Sequence, residues 1–274
     1  MNEIINNWKD SVKIKRILII AMIIIIIAIS LCSYFYYSHH QEQEKIKIAK
    51  ELKIKQEQAG KKAIENFYEK AFEGGSIDKL VVLLNEINRS RVNIERSGFT
   101  EYAYQCNQSA CNFNYKLRQG ALFSVQEKIF YKDRYKPSFS ADELSYNEVL
   151  SKLDGNKIKN KFNNEEKITP PSCSNVLNFI YSYNSLQDDP NEKIIITSLP
   201  TSSVSSQEDT YPNYQYSYGF MVGNISLTHS DNAFKMKTFW ERKPYKDYFL
   251  FDSFRKTSEI NNIIQLNGKF ICKK

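Results

Sequence analysis

Residues 111–117 read Cys111-Asn-Phe-Asn-Tyr-Lys-Leu117, and this stretch decides the fold class. Phe113, Tyr115 and Leu117 alternate with polar residues, and a period of two is typical of a strand that buries one face. A second strand-like run, residues 99–105, lies before the turn Asn-Gln-Ser-Ala at 107–110. The sequence therefore predicts neighbouring strands of a sheet with one buried face.

The segments on either side complete a compact module over residues 74–155. Residues 121–131 read as a third strand, joined to the second by Arg118-Gln119-Gly120. Ser76 caps a helix that runs to about residue 95, and the capping box Ser140-Ala-Asp-Glu143 predicts another helix, to about residue 153. The order α-β-β-β-α is that of an α+β unit.

The rest of the chain predicts a second module of the same kind. Residues 156–171 are charged, rich in Asn and end in Pro-Pro, which is typical of a linker. Residues 172–274 then predict a helix over 172–186 and strands over 193–199, 214–228, 233–240 and 268–272, with 246–262 open between helix and strand. The predicted fold class is α+β, with two small helix-plus-antiparallel-sheet (ferredoxin-like) modules.

An uncharged apolar run at residues 17–37, ILIIAMIIIIIAISLCSYFYY, lies near the start of the chain. About 20 such residues cross a bilayer as a helix. Basic residues precede the run and aromatic residues close it, as in a helix that starts in the cytosol. We therefore expect a cytoplasmic tail at 1–16, a single transmembrane helix at 17–37 and the lipid bilayer as a partner. A cleaved signal peptide is the alternative, but its apolar core is usually shorter.

Residues 38–73 are polar and rich in Lys, Glu and Gln, which predicts a helical stalk. Small apolar residues recur along it at Ala49, Leu52, Ala59 and Ala63, and we expect these four to form a partner interface. A coiled coil and a solvated single helix both fit this pattern, because alanine carries most of the seam.

Four of the five cysteines lie beyond the apolar run, and an even number on an oxidising side predicts disulfides. Cys106 and Cys111 flank a four-residue turn, so we favour that pair and, by elimination, Cys173–Cys272. The second bond would close a long loop and contribute about 4 kcal/mol or more. The spacing does not fit a zinc site, because no histidine lies near Cys106 and Cys111.

No catalytic pattern is visible in the sequence. His39 and His40 lie at the predicted membrane boundary, His229 is alone, and the acidic pairs lie in loops. We expect no enzyme activity, no cofactor and no metal. The net charge of +7 is spread among interleaved acids, which excludes a nucleic-acid-binding stripe. The abundance of Ile, Lys, Asn and Tyr favours a bacterial source. The tyrosines of 211–218 fit a binding patch or the alternating faces of a strand.

The predicted layout resembles that of PilO-like inner-membrane alignment proteins of type IV pilus and type II secretion systems. These proteins have a short tail, one membrane helix, a stalk and α+β modules. The chain most resembles those of type IVb and conjugative pili in Gly98-Phe-Thr-Glu-Tyr-Ala-Tyr-Gln-Cys106, then Cys111-Asn-Phe-Asn-Tyr-Lys-Leu-Arg118, Gly120 and Phe123. The layout covers most of the chain, and the motif about thirty residues. The family supplies no catalytic residue. The long isoleucine run and the short basic tail depart from its pattern.

This resemblance implies a non-enzymatic scaffold that links a membrane platform to outer components of a pilus or secretion machine. The partners would be other bitopic inner-membrane proteins, or a second copy of the chain, and the location would be the inner membrane with the C-terminal domain in the periplasm. The alternative is a membrane-tethered sensor or ligand-binding ectodomain.

Overall fold

A computed structural model describes residues 2–96, 98–120, 127–188, 192–241, 243–256 and 263–274. The chain divides into two units, Met1–Gly60 and Lys61–Lys274. The first helix, α1, spans Asn2–Ala71. Its residues up to Gly60 make up the first unit, and its last turns belong to the second.

The transmembrane prediction is wrong on the described residues, because none of their helices is long and apolar enough to cross a membrane. A spanning helix needs about 20 predominantly apolar residues. Of the predicted span, the described side chains are those of Met22 and of residues 25–37. The side chains of residues 17–21, 23 and 24 lie outside the described set. The same finding contradicts the predicted location, a single-pass protein of the inner membrane with a periplasmic domain.

The second unit contains five further helices and ten strands among its described residues. They are α2 (Ile77–Arg96), β1 (Phe99–Asn107), β2 (Ala110–Leu117), β3 (Lys128–Phe130), β4 (Asp133–Tyr135), β5 (Ser138–Ser140), β6 (Glu143–Leu150), α3 (Lys157–Asn163), α4 (Cys173–Ser185), β7 (Ile194–Thr201), α5 (Ser205–Thr210), β8 (Phe220–Ser230), α6 (Ala233–Glu241), β9 (Phe249–Lys256) and β10 (Ile263–Lys273). A short 3₁₀ helix, Lys246–Tyr248, precedes β9.

Eight of these strands form one antiparallel sheet in the order β5-β6-β2-β1-β9-β10-β8-β7. The α+β class agrees with this arrangement, but the prediction of two small sheets in series is wrong. The reason is the pairing of β1 with β9, in which Tyr104 opposes Lys256 and Asn107 opposes Ser253. A strand from each predicted module therefore hydrogen-bonds to the other.

The sheet buries apolar side chains on both faces. Helices α2, α4 and α6 cover one face, and Phe249, Phe251 and Phe270 point into that cluster. Leu250 and Ile271 alternate with them along the same strands, so they face the opposite side. There they meet the end of α1 and also α3, which lies within the predicted linker at 156–171 and buries two side chains.

Two segments adopt the opposite type of secondary structure from the one predicted. Within the helix predicted over residues 140–153, Glu143–Leu150 form β6 instead, because β6 pairs with β2 and buries Leu144 and Tyr146 at a period of two. Residues 233–240 form α6 instead of a strand. Asn232 Oδ1 accepts hydrogen bonds from the Phe234 and Lys235 backbone N–H groups and so caps this helix. Of the third predicted strand, 121–131, residues 121–126 lie outside the described residues.

Gly268 marks the closest approach of two central strands. A Cβ atom added there would lie 2.3 Å from the carbonyl oxygen of Leu250. Only a residue without a side chain fits this position of β10, opposite the bulge in its pairing with β9.

Candidate interaction site

Four partly exposed tyrosines lie together in the segment that joins α5 to β8. We call residues 211–218 the tyrosine loop; its rings are those of Tyr211, Tyr214, Tyr216 and Tyr218. The sequence predicted a strand from residue 214, but β8 begins only at residue 220. The loop is instead a series of turns, in which the Tyr214 N–H donates to the Tyr211 carbonyl (3.0 Å) and the Ser217 N–H to the Tyr214 carbonyl (2.9 Å).

A buried hydrogen-bond cluster holds both ends of the tyrosine loop against the end of α1. The Tyr68 hydroxyl donates to Glu208 Oε1 at 2.5 Å, and the Gly219 N–H donates to the same oxygen at 2.9 Å. The Phe220 N–H donates to the Tyr68 hydroxyl at 3.0 Å. Burial raises the pKa of Tyr68, and the carboxyl of Glu208 raises it further. Because Glu208 precedes the loop and Gly219 follows it, this cluster fixes the conformation of the loop.

Aromatic packing against α1, α3 and β8 supports the tyrosine loop. Tyr218 lies between Tyr68 and Phe220, with ring centroids at 5.2 Å and 4.9 Å. Tyr216 packs on Phe162 of α3 with centroids 5.0 Å apart, and Tyr214 contacts Tyr216 at 5.4 Å. Packing of this kind stabilises by about 0.5–1.5 kcal/mol for each pair beyond the area that it buries. The tyrosines are therefore held in place while each residue stays partly exposed.

Charged side chains lie at the edge of the tyrosine loop. The Lys61 ammonium lies over the rings of Tyr211 and Tyr214, at 5.8 Å and 5.7 Å from their centroids. The Tyr216 hydroxyl lies 3.4 Å from Glu165 Oε1. Partial burial raises the pKa of Tyr216, and the carboxylates of Glu165 and Glu65 raise it further. Tyrosines that are rigid, partly exposed and edged by charge are typical of protein-binding surfaces.

The two favoured cysteine pairs are both at bonding distance. The sulfur atoms of Cys106 and Cys111 lie 1.99 Å apart, and those of Cys173 and Cys272 lie 2.00 Å apart. The first pair joins β1 to β2 across the predicted turn. The second ties the start of α4 to β10.

The four residues predicted as a partner interface all lie on α1. Ala49, Leu52 and Ala59 belong to the first unit and are exposed. Ala63 belongs to the second unit and is partly buried. Their role in pairing stays a prediction.

A buried lysine lies on the other side of the second unit and was not singled out from the sequence. Lys128 of β3 is enclosed by the rings of Phe113, Tyr115, Phe130 and Tyr146, with Nζ 4.3–5.7 Å from their centroids. It donates a hydrogen bond to the Tyr115 hydroxyl at 2.7 Å. Burial lowers the pKa of Lys128 to about 7, against a smaller opposite effect of Glu86.

A second buried group of polar side chains connects α2, β1, β9 and the loop after β8. The Asp231 carboxylate accepts from Lys256 Nζ at 2.5 Å and from Arg91 Nη1 at 3.3 Å. The Tyr102 hydroxyl also donates to it, at 3.1 Å. His229, two residues earlier, is buried against Phe239, and burial lowers its pKa. This arrangement satisfies buried charge between elements that are far apart in the chain.

Sequence reasoning missed Glu208, Lys128 and Asp231, because nothing local distinguishes them from surface charges. The tyrosine repeat was the only visible signal for the site. Among the described residues, no group of three or more His, Cys, Asp or Glu side chains is placed to hold a metal ion.

No protein-family model, no curated protein and no solved structure matches this chain. The resemblance to PilO-like proteins therefore stays a proposal that depends on the residues around Cys106 and Cys111.

Proposed function

We propose that this protein is a non-enzymatic scaffold, which binds another protein through the tyrosine loop. The observation that carries the proposal is the loop itself, in which four partly exposed tyrosines are fixed by the Tyr68–Glu208 cluster. A surface that is rigid before binding loses little conformational entropy when a partner docks. Tyrosine also supplies a large contact area with few rotatable bonds.

The rest of the second unit supports this role by its rigidity. One continuous sheet contains β8, and the Cys173–Cys272 disulfide ties its neighbour β10 to α4. Cys272 lies in β10, the neighbour of β8, and β8 begins directly after the loop. Disulfides persist in oxidising compartments, where a scaffold gains stability from them.

The resemblance around Cys106 and Cys111 gives the proposal a narrower form, in which the scaffold belongs to a type IV pilus or a related secretion machine. In that form, deletion of the gene abolishes piliation or secretion, while the purified chain hydrolyses no substrate. A deletion strain with wild-type piliation and secretion would reject the narrower form and leave the scaffold proposal in place.

The scaffold proposal is tested by the size of the native complex in the source cells. Extracts are separated by native electrophoresis, and the wild-type chain is compared with a Tyr214→Ser/Tyr216→Ser double variant. We expect the wild type in a complex well above its own 32.1 kDa and the double variant released from it. Mass spectrometry of the two bands identifies the partner that is lost.

Tyr181→Ser is the matched control, because Tyr181 is 58% exposed on α4, away from the loop. It should leave the complex intact, and thermal melting should show all three proteins folded. A wild-type chain that migrates alone at its own mass would refute the scaffold proposal. A folded double variant that stays in the complex would refute the role of the loop.

A further inference from the structure

We propose that the tyrosine loop recognises a basic segment of its partner, with an arginine or lysine side chain seated on Tyr216 between the carboxylates of Glu65 and Glu165. This inference rests on the proposed function and adds the chemistry of the partner.

Two carboxylates give the edge of the tyrosine loop a local negative charge. Glu65 lies on α1, one turn after Lys61, and Glu165 follows α3; both are exposed. Within the described residues, neither carboxylate takes part in an ion pair. Glu165 instead lies 3.4 Å from the Tyr216 hydroxyl and 3.5 Å from Gln215 Nε2, both neutral groups. Among the described residues, these two carboxylates therefore lie beside the tyrosines without a salt-bridged cation.

The tyrosine rings of the loop can contact a cation. Lys61 shows that this surface accepts an ammonium group, because its Nζ already lies within 6 Å of two tyrosine centroids. That lysine covers Tyr211 and Tyr214. Tyr216 has no cation over its ring within the described residues, although Glu165 lies beside its hydroxyl. A partner cation on Tyr216 would add a second contact of the same kind.

The chemistry of the site favours arginine over lysine as the bound cation. A guanidinium stacks flat on an aromatic ring and donates in a fork to a carboxylate, whereas an ammonium acts as a point charge. Tyr216 beside Glu165 offers a ring face and a carboxylate together, so arginine should bind more tightly than lysine. The whole chain carries a charge of +7, so a basic partner is attracted by local acidic side chains and not by the net charge.

The test uses fluorescence anisotropy with the full chain and three labelled peptides. The probes are Gly-Ser repeats that carry three arginines, three lysines or three glutamates. We expect the arginine peptide to bind, the lysine peptide to bind more weakly, and the glutamate peptide not to bind. Glu65→Gln/Glu165→Gln should weaken arginine-peptide binding at least tenfold, because both carboxylates lose their charge.

Glu143→Gln is the matched control, since Glu143 is an exposed carboxylate on β6, near the edge of the sheet opposite to β8. It should change binding less than twofold. Equal binding of the arginine and glutamate peptides, or unchanged binding by the double variant, would overturn the inference. If the native complex depends on Tyr214 and Tyr216 while the arginine peptide fails to bind, the scaffold proposal stands and the basic partner is rejected.

Discussion

The replacement Lys128→Met tests whether a lysine is buried among four aromatic rings. Methionine has a similar length and no charge, so it keeps most of the packing and removes the ammonium. Burial lowers the pKa of Lys128 from 10.5 to about 7. Between those two pH values the folded chain binds fewer protons at this site than the unfolded chain. The free energy of unfolding of the wild type should therefore rise as the pH rises above 7.

The size of this effect follows from the two pKa values. One pKa unit corresponds to about 1.36 kcal/mol, and the two titration curves together give a rise of about 2.7 kcal/mol between pH 6 and pH 9. The variant lacks this contribution. It should be more stable than the wild type at pH 6, and that advantage should shrink by about 2.7 kcal/mol at pH 9.

The assay is urea unfolding of the full chain, with both disulfides intact, followed by far-UV circular dichroism at pH 6, 7, 8 and 9. The difference between wild type and variant removes the titration of groups that both share, such as His229. Lys116→Met is the control, because Lys116 is exposed on β2, the strand whose Phe113 and Tyr115 rings contact Lys128. A wild-type slope equal to that of Lys128→Met would show that the amine is solvated in the folded state and refute the reasoning.

Four further variants probe other parts of the fold by the same unfolding assay. Replacing Cys173 and Cys272 with serine opens a loop with a sequence separation of 99 and should cost about 4.7 kcal/mol. The same change at Cys106 and Cys111, with a separation of 5, should cost about 2 kcal/mol; equal losses would contradict the loop argument. Tyr68→Phe leaves the buried Glu208 with one donor fewer and should cost about 1.5–3 kcal/mol, whereas Tyr181→Phe should cost almost nothing. Asp231→Asn leaves Lys256 buried without a counter-charge and should cost about 3–5 kcal/mol. Adding Lys256→Met should recover most of that loss, and failure to recover would show that Asp231 acts through other contacts.

Local patterns in the sequence were sufficient for part of the fold. The alternation at Phe113 and Tyr115 correctly predicted β2, and Ser172 correctly marked the start of α4. The cysteine pairs were found because Cys106 and Cys111 flank a short turn. Each of these signals depends on residues close together in the chain.

The remaining features depend on contacts between distant segments. Residues 140–153 carry a helix-capping signature, yet the pairing of β6 with β2 overrides it. The single sheet arises from β1 and β9, strands that no local pattern connects. The site could not be predicted from local sequence for the same reason. Tyr68 and Glu208 are 140 residues apart in the chain, and the hydrogen bond between them is what fixes the tyrosine loop.

Photo-crosslinking in the source cells tests most directly whether the tyrosine loop is a docking surface. A benzoylphenylalanine is placed at Gln215, an exposed position within the loop, or at Asn114, an exposed position on β2. We predict a discrete crosslinked product at position 215 that is missing at position 114 and disappears with Tyr214→Ser/Tyr216→Ser. Absence of a product at position 215, or equal products at both positions, would contradict the account.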